Sequence, residues 1–236
     1  MSLNRETVLK ALHNEEVNQV PMSFWRHFTD NEFTDATESP EVLTTNLTGH
    51  RNYYQAVDVD FAKTMLDGYF PYPFHGVNNP RQLADLHNVR PIEDNDPWLT
   101  GQVELAEKQK QVTGDRSTFV TMFSPLFLLK WALIEHYQEP LLLADQRFAD
   151  MYTEDSQLVL HVLKVISDDQ KKVARALMTN TQIDGIYYST QEIQDQRTQT
   201  HQFFEEVMEP IDIDVQNAIN AVSLLNILHI CGFDGA

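Results

Sequence analysis

Apolar positions along the chain fall into two patterns: stripes at helical spacing, and short runs that alternate or stay apolar as strands do. Asn4 to His13 sets Val8, Leu9 and Leu12 on one helical stripe. Val20 to Trp25 is a short apolar stretch, followed by a polar loop from Arg26 to Glu38. Ser39-Pro40-Glu41 spells a helix start: a hydroxyl cap, a proline in the first turn and an acid at the positive end of the helix dipole. Leu43, Leu47, His50 and Tyr54 then recur on one face. Ala56 to Ala62 alternates like a strand, and Asp67-Gly68 with Pro71 and Pro73 breaks the chain into a loop.

The second half repeats the alternation. Asp96-Pro97 caps a long helix that runs to Gly114, and Thr118 to Phe123 reads as a buried strand. Ser124-Pro125 starts the next helix and Pro140 another, and Thr153 to Thr179 is one long helical region. Ile183 to Ser189 is a strand. Arg197 to Glu209 is a helix stopped by Pro210, Ile211 to Asn220 a short further helix, and the run from Val222 a last strand. No repeat, linker or low-complexity tract interrupts the series. Strands separated by helices predict an α/β fold with a parallel sheet and helical crossovers. Four or five strands are visible, whereas a closed (β/α)8 TIM barrel has eight and typically takes about 250 residues. The expectation is therefore a single domain over 1–236: an incomplete TIM barrel of five or six β/α units, its C-terminal part missing. An apolar edge strand left open in this way is expected to pair with a second copy.

Composition narrows the function. With 17 basic and 35 acidic residues the net charge is −18, which argues against a nucleic-acid partner, since phosphate neutralisation needs a basic face. No apolar run approaches the roughly 20 residues of a membrane span, and one cysteine permits no internal disulfide, as suits the cytoplasm. His229 and Cys231, two apart on the last strand, project to one face and make half of a soft-metal site; by residue type alone they also read as packed strand residues. Asp58 and Asp60 read as functional carboxylates or as loop caps, Arg26 as a substrate clamp or a surface ion-pair partner. The aromatic stretch Tyr69 to His75 reads as a substrate lid or a packed loop. There is no Gly-rich phosphate loop and no Gly-x-Ser-x-Gly elbow.

Several segments, taken in order, resemble the uroporphyrinogen decarboxylase superfamily over essentially the whole chain. They are the opening helix leading to Val20-Pro21 and Trp25-Arg26, Asp60-Phe-Ala-Lys63, Ser124-Pro125, Asp184-Gly185-Ile186-Tyr-Tyr-Ser189, and His229-Ile-Cys231-Gly232. The resemblance implies a TIM barrel with a site at the C-terminal ends of its strands. It also implies one of two chemistries. For the decarboxylases, Arg26 matches the first of two substrate-binding arginines, Asp60 the aspartate on the pyrrole nitrogens and Ser189 a serine near the substrate carboxylates. Asp30 stands where the second arginine belongs, and Trp131, beyond Ser124-Pro125-Leu126, where a tyrosine belongs. For the methyltransferases, His229 and Cys231 match two of three zinc ligands, and methylcobamide on a partner corrinoid protein supplies a methyl group to a thiol. The resemblance thus implies a zinc-dependent corrinoid methyltransferase, with uroporphyrinogen decarboxylase in porphyrin biosynthesis as the alternative and an inactive remnant or interaction fragment as a third reading. The implied site comprises Asp60 and Arg26 as catalytic residues, Ser189, Trp131 and Ser124 at the substrate, and His229 and Cys231 on a metal lost with the third ligand.

Overall fold

The computed structural model describes residues 5–135, 139–191 and 193–231, with Gln191 and Cys231 described by backbone only. Its frame is a four-stranded parallel sheet in sequential order: β1 (Phe61–Thr64), β2 (Ser117–Phe123), β3 (Gly185–Gln191) and β4 (Leu225–Cys231). Helix α1 (Arg5–Leu12) and helix α2 (Glu41–Ala56) precede β1. Helices α3 (Leu83–Leu86) and α4 (Pro97–Thr113) link β1 to β2, while α5 (Pro125–Ala132), α6 (Leu141–Glu154) and α7 (Ser156–Asn180) link β2 to β3. A run of α8 (His201–Phe203), a π-helical turn (Phe204–Met208) and α9 (Glu209–Val222) leads to β4. The α/β reading and the parallel sheet hold. The sheet has four strands among the described residues, fewer than the five or six units expected, because single crossovers consume up to three helices.

Local chemistry explains most boundaries. Asp96 caps α4 by accepting the Trp98 N–H at 2.8 Å, Pro97 fills a position with no helical donor to lose, and Gly114 ends the helix at φ 62°. Ser124 caps α5 in the same way, accepting the Phe127 N–H. Three expectations need correction. Only the end of the alternating stretch Ala56 to Ala62 is a strand: α2 runs to Ala56, β1 begins at Phe61, and Val59 packs with Tyr54 and Ala62 in a small cluster beside the turn into β1. The helical region from Thr153 is two helices, broken at Asp155, whose carboxylate caps α7 through the Leu158 N–H. Pro210 does not stop its helix. The π turn before it widens the helix so that the Glu209 N–H donates to the Phe204 carbonyl, five residues back, and proline is absorbed in the first turn of α9.

The register fixes two faces. Ala62, Val120, Met122, Ile186 and Tyr188 point outward into the helices, and the Tyr188 hydroxyl donates to Asp212 of α9 at 2.7 Å. Phe61 and Lys63 of β1, Phe119 and Phe123 of β2, Tyr187 and Ser189 of β3 and His229 of β4 share the opposite face. The segment 20–33 crosses this second face, bringing Trp25 over Lys63. At the N-terminal edge of the sheet, Asp184 accepts the Thr118 N–H and pairs with Lys110 and with Arg5 of α1.

Candidate functional site

A cavity of about 250 Å³ opens at the C-terminal ends of the four strands, where ligands bind in parallel α/β sheets. Lys63, Ser189 and His229 reach it from β1, β3 and β4, and Phe123 from the end of β2. Trp25, His27, Glu32 and Phe33 close it from the crossing segment, with Phe127 and Trp131 of α5 and Phe70 completing an aromatic wall. Ser189 and His229 pair with Phe123 across the sheet register, so three adjacent strands deliver side chains at one level.

Lys63 is 3% exposed, its ammonium 3.2 Å from the Trp25 ring centroid and 4.3 Å from that of Tyr187. Rings on two sides stabilise a cation through their negative faces. His229 also packs against Tyr187, with ring centroids 5.5 Å apart. Its pKa is pushed down, first by burial and then by the nearby Lys63 charge, so the imidazole is neutral at pH 7. The second histidine, His27, is oriented by Asp67: its Nδ1 lies 2.7 Å from the carboxylate, which also accepts the Phe28 N–H at 3.2 Å. Asp67 is fully buried just beyond the C-terminal end of β1.

Phe33 and Trp131 stack at 3.7 Å and separate this cavity from a larger one of about 650 Å³. That second cavity is lined by Pro71 to Phe74, Val77 and Pro80, so the aromatic stretch is a packed loop whose rings wall both spaces. Tyr72 pins this loop by donating to Asp169 of α7 at 2.6 Å.

The expected site residues divide. Ser189, Trp131 and His229 meet in the smaller cavity. Ser124 lies beneath it: its N–H donates to the Ser189 carbonyl at 2.9 Å, and its hydroxyl is engaged as the α5 cap. Asp60 is displaced from the expected place. It precedes β1, at the opposite edge of the sheet, and its carboxylate accepts the Met22 N–H at 2.7 Å. The reason is the register: β1 begins at Phe61, so the carboxylate that reaches the C-terminal edge is Asp67. Arg26 points to solvent, with its Nε donating to the His27 carbonyl and its guanidinium beside Phe28; it is not part of the cavity wall. Cys231 is placed on β4 opposite Gln191, but its side chain lies outside the described residues. Lys63, His27 and Asp67 were missed. The alternation Phe61-Ala-Lys63 carried the signal for the lysine, while Asp67-Gly68 reads as a turn whose carboxylate looks solvated.

A zinc centre does not fit the described donors. No group of three His, Cys, Asp or Glu side chains converges among the described residues, and a dication at His229 would face the Lys63 ammonium. Among the described residues no helix is long and apolar enough to cross a membrane. Comparison of the chain with protein-family models and with curated proteins finds no match to either.

Proposed function

We propose that the chain is a cytoplasmic small-molecule enzyme of the uroporphyrinogen decarboxylase superfamily, built on the strand-helix plan of a TIM barrel, and that it stands on the methyl-transferring side of that superfamily. The reading rests on one observation: Ser189, Trp131 and His229 share a cavity at the C-terminal strand ends with a His27–Asp67 pair and a buried lysine. In this reading the acceptor is a thiol, and the donor is methylcobamide on a partner corrinoid protein docked at the mouth. His27, held through Nδ1 by Asp67, offers Nε2 to the thiol proton. The sulfur then takes the methyl group and leaves the bonding electron pair with the corrinoid. No step is assigned to zinc.

Two features count against decarboxylation. Arg26 stands outside the cavity wall and Asp30 is a solvent-exposed carboxylate, so no arginine pair gathers propionates there. A cavity of about 250 Å³ also does not enclose a tetrapyrrole. The test mixes the protein with methylcobalamin and 2-mercaptoethanol and follows the cobalamin absorbance. Methyl transfer that drops about 100-fold in His27→Ala is expected. Conversion of uroporphyrinogen to coproporphyrinogen, without methyl transfer, would replace this reading by the decarboxylase one.

A further inference from the structure

The cavity at the strand ends is furnished for a negative charge at one spot and for an apolar body around it. Lys63 supplies the charge: its ammonium is almost wholly removed from water and held between the Trp25 and Tyr187 rings at the cavity wall. A side chain with four rotatable bonds is fixed there by two rings, so little ordering entropy remains to be lost when an anion arrives. A second observation points the same way. Trp131 Nε1 is buried and has no hydrogen-bond acceptor among the described residues. A buried donor without an acceptor costs free energy that a ligand oxygen recovers. The Ser189 hydroxyl adds a third donor at the wall. Between these groups the surface is Phe33, Phe70 and Phe123, which offers nothing to a polar ligand body.

We propose that this cavity binds a small carboxylate with an aromatic or branched apolar body, its carboxylate held by the Lys63 ammonium and the Trp131 N–H. The inference deepens the reading of the same site by naming the anchor of its substrate. Lys63 acts as a binding residue in this role. Glu32, a carboxylate on the cavity wall, opposes the ligand and is half-exposed, so water screens it.

The chemistry is tested by calorimetric titration of the intact chain with phenylacetate and with phenylacetamide, its uncharged counterpart. Phenylacetate is expected to bind at least about tenfold more tightly than the amide. Lys63→Met should abolish that preference, and Glu32→Gln should tighten phenylacetate. Trp131→Phe removes the N–H together with the five-membered ring and leaves an aromatic ring to face Phe33, so it should weaken phenylacetate about tenfold and phenylacetamide less. If Lys63→Met does not fold, the amide comparison and Trp131→Phe still decide. Equal binding of acid and amide, no heat at millimolar phenylacetate, or an unchanged affinity in Trp131→Phe overturns the proposal. None of these titrations requires turnover. Phenylacetate binding without methyl transfer would leave the ligand inference standing and remove only the reaction; transfer without such binding would do the reverse.

Discussion

His50 shows what burial does to a single side chain. Its ring is nearly inaccessible, Nδ1 donates to the Asn46 carbonyl at 2.9 Å, and Nε2 accepts the Met65 N–H at 3.3 Å. Only the neutral ring can make both bonds, since a proton on Nε2 would face another donor. Burial is the largest cause of its lowered pKa, about 4, against an unfolded value near 6.5. Above pH 6.5 neither state binds the proton and the contribution is complete. As the pH falls from 6.5 towards 4, the unfolded chain takes up a proton that the folded chain refuses, so stability is lost across that window. The loss from this residue is about 3 kcal/mol. Urea denaturation at pH 7 and pH 4.5 should show it, and His50→Gln should flatten the profile by most of that amount. An equal loss in the variant would assign the acid sensitivity to other groups.

Elements are held in place by polar pins at strand ends as much as by the apolar core. The first backbone groups beyond β1 meet α2 and α4 through three side chains: the Met65 carbonyl accepts from Asn46 at 2.9 Å and from Gln109 at 2.7 Å, and its N–H donates to His50. Gly185 fixes the spacing at the start of β3. A Cβ there would sit 1.6 Å from the Leu225 carbonyl oxygen, a backbone atom that moves only if β4 moves. Gly185→Ala should therefore cost more than about 3 kcal/mol and loosen β4 first. Hydrogen exchange that rises in β4 before β2 would bear this out, and a wild-type melting profile would contradict it. The same elements show what could be read beforehand. The caps at Asp96 and Ser124, and the apolar strands β2 and β3, were legible because turn chemistry and burial agree locally. Pro210 misled because its accommodation depends on a π turn that no local signal announces. Asp60 misled because Val57 and Val59 imitate a strand, which set the start of β1 several residues early and moved Asp67, the carboxylate at the ligand edge, out of view. Ser189 and His229 were placed correctly because alternation within a strand is set by the backbone alone; Lys63 obeys the same rule but is half of no familiar pair.

At the scale of the whole molecule, two opposing forces meet at β4. It is an edge of the sheet among the described residues, and its outer side chains Leu228 and Ile230 are 51% and 70% exposed. The preceding strands cover that outer face with helices, as Tyr188 under α9 illustrates. An open edge flanked by exposed branched residues is a template for a second strand, and this supports the proposal that the chain pairs with itself through β4. The net charge of −18 opposes any such encounter. Repulsion between two anionic chains is long-ranged and weakens as the Debye length shrinks, from about 30 Å at 0.01 M salt to about 10 Å at 0.1 M, whereas apolar burial is not weakened by salt. Association should therefore grow with ionic strength, the reverse of a complex held by ion pairs. Light scattering across that range should show the average mass rising towards the dimer, and Ile230→Lys, which places a charge at the apolar edge, should hold the chain monomeric at every salt concentration. A mass that falls with added salt, or an Ile230→Lys variant that still dimerises, would exclude β4 as the contact and leave the strand edge to be covered in another way.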